Sequence, residues 1–174
     1  MSTILPVKQV TIKWSRQYNY DKVFNKDCVS GIGIYCVSAI SALQETIVYI
    51  GITDTSFYSR LNEHDKSWLN RYNYYGKLKV RFGIITSPET HSRELIEGVE
   101  GGLIYQMQPI ENILKKNIPT KNKYKIKNTG SRGLIPDVIN MEEHRLIKKD
   151  PTSLRQRRGW HNPTDRTNIN VWDY

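Results

Sequence analysis

Residues 31–38, GIGIYCVS, and residues 46–50, TIVYI, decide how the rest of the chain is read. Both are rich in β-branched and aromatic side chains, which suit a pleated, half-buried surface. With 39–45 as the connection, they read as an antiparallel hairpin with a longish loop. Residues 77–86, KLKVRFGIIT, alternate at period two and place Leu78, Val80, Phe82 and Ile84 on one face of a further strand. Upstream, Val7 to Trp14 alternates weakly, as a candidate strand. Residues 15–30 are polar and irregular, with a short helix indicated near Tyr20 to Phe24.

Two helices are readable around the third strand. Thr55 to His64 forms a short one, with Asp54 or Thr55 as N-cap. The clearer one follows Ser87, a capping residue, and Pro88, which suits a first helical position. Leu95, Ile96, Val99, Leu103, Ile104 and Met107 recur at helical spacing, and Pro109 ends it. Gly98, Gly101 and Gly102 each weaken an isolated helix by up to about 1 kcal/mol relative to Ala. Close packing against them would account for their presence. Residues 113–133 are Lys- and Asn-rich and read as a basic linker or arm. Residues 134–149 hold one more short helix, and 150–174 form a tail with Trp160, Trp172 and Tyr174. The organisation expected is an N-terminal extension over 1–30, a main domain over 31–112 and a basic extension over 113–174.

The 174 residues suffice for one domain with additions, and 38% apolar content implies a modest core. No apolar run is long enough to span a bilayer, and MSTILPVKQVTIKW lacks the apolar stretch of a secretory signal, so a cytoplasmic protein is expected. Cys28 and Cys36 fit a reduced compartment, and neither they nor His64, His91, His144 and His161 have structural-zinc spacing. The net charge of +9 is uneven. Residues 1–112 hold 12 basic and 11 acidic side chains, whereas 113–174 hold 14 and 6. A basic segment on a near-neutral body suggests a polyanionic partner, although a solvated tail has the same composition.

Within the hairpin, side chains two apart share a strand face. Tyr35 therefore stands beside Gly33, and Tyr49 beside Gly51, each with room for a substrate to reach its hydroxyl; tyrosine is also a favoured strand residue, and the chain has 11. Arg60 and His64 lie one helical turn apart. Arg60 offers a donor fork suited to phosphate, or a surface ion pair with Glu63, and His64 can exchange a proton near neutral pH or face solvent. Glu100 is the better clue. It lies between Ile96 and Ile104 on an apolar stripe, where a carboxylate is costly unless paired or bound to a cation. Asn112, after Pro109, can brace a neighbour or serve a turn.

In order, GIY at 33–35, YIG at 49–51, R-x-x-x-H at 60–64, then E-x-x-L-I and P-x-x-N ending at 112, the set resembles the GIY-YIG nuclease family over residues 31–112. The resemblance implies an α/β fold of the α+β type: a small central three-stranded antiparallel sheet flanked by helices, here with N- and C-terminal additions. It implies catalytic roles for Tyr35, Tyr49, Arg60, His64, Glu100 and Asn112, with Glu100 holding Mg²⁺ or Mn²⁺ for phosphodiester hydrolysis. A single carboxylate completed by water and phosphate oxygens is an ordinary Mg²⁺ arrangement. Tyr35 becomes the candidate base, which requires positive charge nearby because a free phenol has a pKa of about 10. The chain departs from the pattern at Ile52, where many relatives carry a polar or basic residue, and at Gly101-Gly102.

The expected activity is that of a metal-dependent DNA endonuclease of the restriction or mobile-element (homing) kind, acting on double-stranded DNA and dimerising to cut both strands. The basic extension is expected to track the phosphate backbone, with Tyr124, Trp160 and Trp172 either stacking on bases or packing on the domain, and the stretch 66–79 either approaching DNA or forming a solvated surface. The alternatives are a structure-specific repair nickase or DNA-degrading toxin of the same family, and a non-catalytic basic nucleic-acid-binding module.

Overall fold

The computed structural model describes residues 7–41, 44–65, 69, 72, 77–117 and 123–141, all within one compact unit, Met1–His144. The hairpin forms, but its strands extend through most of the stretch expected to be a longish loop: Ala39, Ile40 and Ser41 pair with Thr46, Glu45 and Gln44. β3 (Gly33–Ser41) pairs antiparallel with β4 (Gln44–Thr53), and on its other side with β5 (Lys77–Ser87). A sheet of these three would leave the second edge of β5 unpaired, and an unpaired edge is a liability. β1 (Lys8–Trp14) covers that edge antiparallel, and the two-residue β2 (Tyr18–Asn19) pairs with the same strand. β6 (Tyr124–Thr129) then runs parallel to β1, and β7 (Val138–Asn140) closes antiparallel on β6.

The small three-stranded antiparallel sheet flanked by helices is therefore not what this chain builds. It makes a seven-stranded mixed sheet, ordered β4-β3-β5-β1-β6-β7 with β2 on β5, curled into a half-barrel with three helices. The sheet draws strands from the stretches 1–30, 31–112 and 113–174 alike. In the lysine-rich 113–133 stretch, Tyr124, Ile126 and Asn128 point inward and Lys125, Lys127 and Thr129 outward, a period-two strand concealed by its composition. The inward amide of Asn128 is satisfied: it accepts from Trp14 Nε1 at 3.0 Å and donates to the Pro136 carbonyl at 2.9 Å.

The helices are α1 (Tyr20–Val23), α2 (Phe57–Asp65) and α3 (Arg93–Met107). For α2, Ser56 does the capping, its Oγ accepting from Ser59 N at 3.1 Å. β5 runs on to Ser87, and α3 begins only after Ser92, whose side chain accepts from Leu95 N at 3.2 Å. Gln108, in the left-handed region at φ 49°, ends α3 before Pro109.

Two of the three helix glycines have the close neighbours that their cost implied. A methyl on Gly98 would overlap the Tyr124 ring, and one on Gly102 would overlap Met141, so α3 lies directly against β6. Val99, Leu103 and Ile104 join Val10, Ile12, Trp14, Ile34, Cys36, Ile50, Tyr124 and Ile126 in the main core. Each such side chain contributes about 1.5–3 kcal/mol by burial.

Among the described residues, no helix is long and apolar enough to cross a membrane. The helix expected over 134–149 is replaced by β7 in its described part. Trp160, Trp172, Tyr174 and most of 66–76 lie outside the described residues.

Candidate active site

Ile34, Cys36 and Ile50 belong to the core beneath α3. Strand alternation therefore turns Tyr35, Tyr49 and Gly51 to the opposite face, which α2 covers. There Tyr35 is fully buried and stands across from Gly51 on β4 and Phe82 on β5. The Tyr49 ring stacks on it at 5.9 Å between centroids, and Phe57 of α2 meets it edge-on at 6.2 Å. Gly51 leaves no room for substrate. A Cβ there would lie 2.5 Å from the Tyr35 hydroxyl oxygen, so the space above this glycine is where the phenol itself sits.

Arg60, one turn into α2, lies near enough to the Tyr35 phenol for each to act on the other's charge, and Tyr49 is the second polar neighbour of that phenol. The guanidinium keeps an ion pair with Glu63 at 2.5 Å and remains 43% exposed, so it joins the buried phenol to the surface. Burial pushes the Tyr35 phenol far above its ordinary value, and Tyr49 adds to the shift; the opposing pull of Arg60 is smaller. Tyr35 is thus held neutral, contrary to what a general base needs. Burial works against the charge of Arg60, but Glu63 and the two tyrosines outweigh it and hold the guanidinium more firmly protonated than usual. His64 continues the helix one turn later, and its side chain lies outside the described residues.

The second group of expected residues stands apart from this cluster. Glu100 is buried on α3, the helix covering the other face, and its described partner is Lys115 Nζ at 2.5 Å. Asn112 is buried along the outer edge of β4. Its Nδ2 donates to the Ile50 carbonyl at 2.8 Å, and its Oδ1 accepts from Ile50 N at 2.9 Å. Glu111 N donates to the Val48 carbonyl at 2.9 Å, so residues 111–112 complete the edge of β4 as a short extra strand would. Tyr35, Tyr49 and Arg60 are therefore brought together, Asn112 lies on the sheet edge, and Glu100 reaches a lysine.

Among the described residues, no group of three or more His, Cys, Asp or Glu side chains is placed to share a metal. What fits a hard divalent ion is one carboxylate, nine-tenths buried, already holding a cationic group in the shape of Lys115.

Three features escaped sequence reasoning. Lys115 was hidden in a lysine-rich stretch. Phe57 carries no motif. Arg81, on the face of β5 opposite Phe82, is buried at 3% exposure and forms a forked pair with Glu45. Ser38 and Gln17 also donate to Glu45, at 2.5 and 3.0 Å. Burial would raise the Glu45 carboxyl, but Arg81 and Ser38 prevail and hold it below its usual value. Tyr124, expected either to stack on bases or to pack, packs: it is fully buried, and its hydroxyl has no hydrogen-bond partner among the described residues.

Comparison with known proteins leaves this geometry to stand alone: no protein-family model, curated protein or solved structure matches the chain.

Proposed function

We propose that the chain is a metal-dependent nuclease of the GIY-YIG type that hydrolyses DNA phosphodiesters. The observation that carries the reading is the Tyr35–Tyr49–Arg60 cluster, in which a partly exposed guanidinium stands beside a buried phenol. In this reading, Arg60 binds a non-bridging phosphate oxygen and opposes the charge that develops in the transition state. Tyr35, kept protonated by burial, is a positioning residue: it fixes Arg60 and Tyr49 and does not take a proton. Tyr49, half-buried beside it, orients the attacking water or the phosphate, with His64 next along α2. Mg²⁺ or Mn²⁺ at Glu100 would supply Lewis-acid stabilisation of the leaving oxygen. Lys115 must release Glu100 for that to happen. Asn112 holds the edge of β4 so that Tyr49 and Gly51 keep their places. Site-specific cutting of the restriction or mobile-element kind, with two copies acting on the two strands, is the form of activity proposed.

The test is cleavage of plasmid DNA with Mg²⁺ or Mn²⁺ beside a Glu100→Ala control. Cleavage by the parent and none by the variant, with DNA binding retained, is the expected outcome. Equal cleavage by both would refute the metal assignment, and no cleavage by the parent with either metal would refute the enzyme.

One observation favours a second reading, a non-catalytic DNA-binding module. Glu100 is already satisfied by Lys115, on the helix that covers the face opposite Tyr35. DNA binding without metal-dependent cleavage would select it.

A further inference from the structure

The face that carries Tyr35 is covered by α2 only in part. Beyond Phe82, towards β1 and β6, none of the described helices covers it. Ile84 is 58% exposed on β5, and Lys13, Lys125 and Lys127 are exposed on β1 and β6. Register shows that they form one surface. Lys13 stands opposite Ile84 and beside Thr129, and Lys127 stands beside Thr11. Val10, Ile12, Tyr124 and Ile126 alternate with them and point into the core on the other face. No carboxylate projects from this face of β1, β6 or the adjoining end of β5, and none of the three lysines is ion-paired among the described residues.

From this arrangement we infer that the open face, with Lys13, Lys125 and Lys127, is the bed for the phosphate backbone of duplex DNA leading into the Tyr35–Arg60 site. The identity of the polyanion rests on the nuclease reading; the surface itself does not. Charge rejects the other available occupants. A second copy would present the same lysines, and residues 145–174 carry seven basic and three acidic side chains. Spacing also suits the proposal. The two-residue step from Lys125 to Lys127 is about 6.6 Å along a strand. Consecutive phosphates on one DNA strand advance about 3.4 Å along the duplex axis and, because the strand winds around it, lie at a comparable separation in space. Thr11, between the lysines, adds a hydroxyl donor of the kind that positions a nucleic-acid backbone without reading its sequence. The surface is continuous with the catalytic cluster through Phe82, whose ring stacks on Phe57 at 4.3 Å, and Phe57 in turn meets Tyr35 at 6.2 Å. A rigid sheet thus offers the backbone contacts that a lysine-rich arm was expected to make.

The test measures the salt dependence of binding of a short labelled duplex to the full chain, in a Glu100→Gln background so that the DNA stays intact. Lys13→Ala, Lys125→Ala and Lys127→Ala together should reduce the slope of log affinity against log salt by about 2 to 3, at about 0.9 for each lost contact, and weaken binding roughly a hundredfold near 0.1 M salt. The side chains are exposed, so thermal unfolding should be unchanged, and replacing all three by arginine should restore the slope. An unchanged slope and affinity in the alanine variant would overturn the proposal. If the parent cleaves DNA and the variant, with Glu100 restored, binds and cleaves as well as the parent, the surface falls and the nuclease stands. If the parent never cleaves but the variant loses its salt slope, the nuclease falls and the surface stands.

Discussion

The two halves of the expected active site are built in opposite ways. On the α2 face, Tyr35, Tyr49 and Arg60 form a closed cluster in which each group fixes the next and burial sets the protonation state. At the β4 edge and on α3, Asn112 and Glu100 each answer to a single neighbour: a backbone amide pair in one case, a lysine in the other. The first is organised before any substrate arrives. The second must exchange a partner, Lys115, to do chemistry. A buried phenol with polar neighbours and a buried carboxylate with a lysine are both ordinary ways of satisfying a polar group; what sets Arg60 apart is that its guanidinium still reaches the surface.

The largest effect expected from breaking this contrast is at Arg60. Arg60→Ala should lower the cleavage rate by about 10²- to 10³-fold, the usual cost of losing one donor to a developing charge. Single-turnover kinetics checks this, and a loss confined to DNA affinity would reassign Arg60 to binding. Asn112→Ala comes next. It leaves Ile50 N–H and C=O unpaired at a covered edge and should cost about 1–3 kcal/mol, read as a lower denaturant midpoint. Unaltered stability would mean that water replaces the amide. The smallest effect is electrostatic. Because the Tyr35 phenol is raised in the folded state, its contribution to stability is complete below the ordinary tyrosine value of about 10 and is lost as pH rises above it. Tyr35→Phe should therefore flatten the fall in melting temperature above that pH. Cys36, pushed up to about 12 by burial, acts in the same direction and remains in both proteins. Identical slopes for both would show that the phenol is not desolvated.

What could be read from sequence was local. The strands around Tyr35, Tyr49 and Phe82 and the helix bearing Glu100 announce themselves by period and by β-branched content, because those signals lie within ten or fifteen residues. The pairing of Lys8–Lys13 with residues 124–129 does not, since it joins segments more than a hundred residues apart and the outward lysines conceal the inward Tyr124, Ile126 and Asn128. That pairing is what turns a small sheet into a half-barrel. The site divides similarly. Glu100 showed itself as a carboxylate on an apolar stripe, and its need for a cation was legible, but which cation was not. Gly51 was legible as space. That the Tyr35 phenol fills this space depends on a cross-strand register that no single strand encodes. The protonation state of Tyr35 follows from that burial, and so the base suggested by the motif becomes a donor in the fold.

The proposed nuclease needs both the Arg60 guanidinium and a metal ion held at Glu100 to reach one phosphate of the DNA. Crystals of the full chain with an uncleavable duplex and Mn²⁺, located by its anomalous signal, test it most directly. The expected result is Mn²⁺ on Glu100 in place of Lys115, with one phosphate group bound by both that ion and the Arg60 guanidinium. Glu100 still paired with Lys115 while a phosphate sits elsewhere, or Mn²⁺ bound away from Glu100, would contradict it.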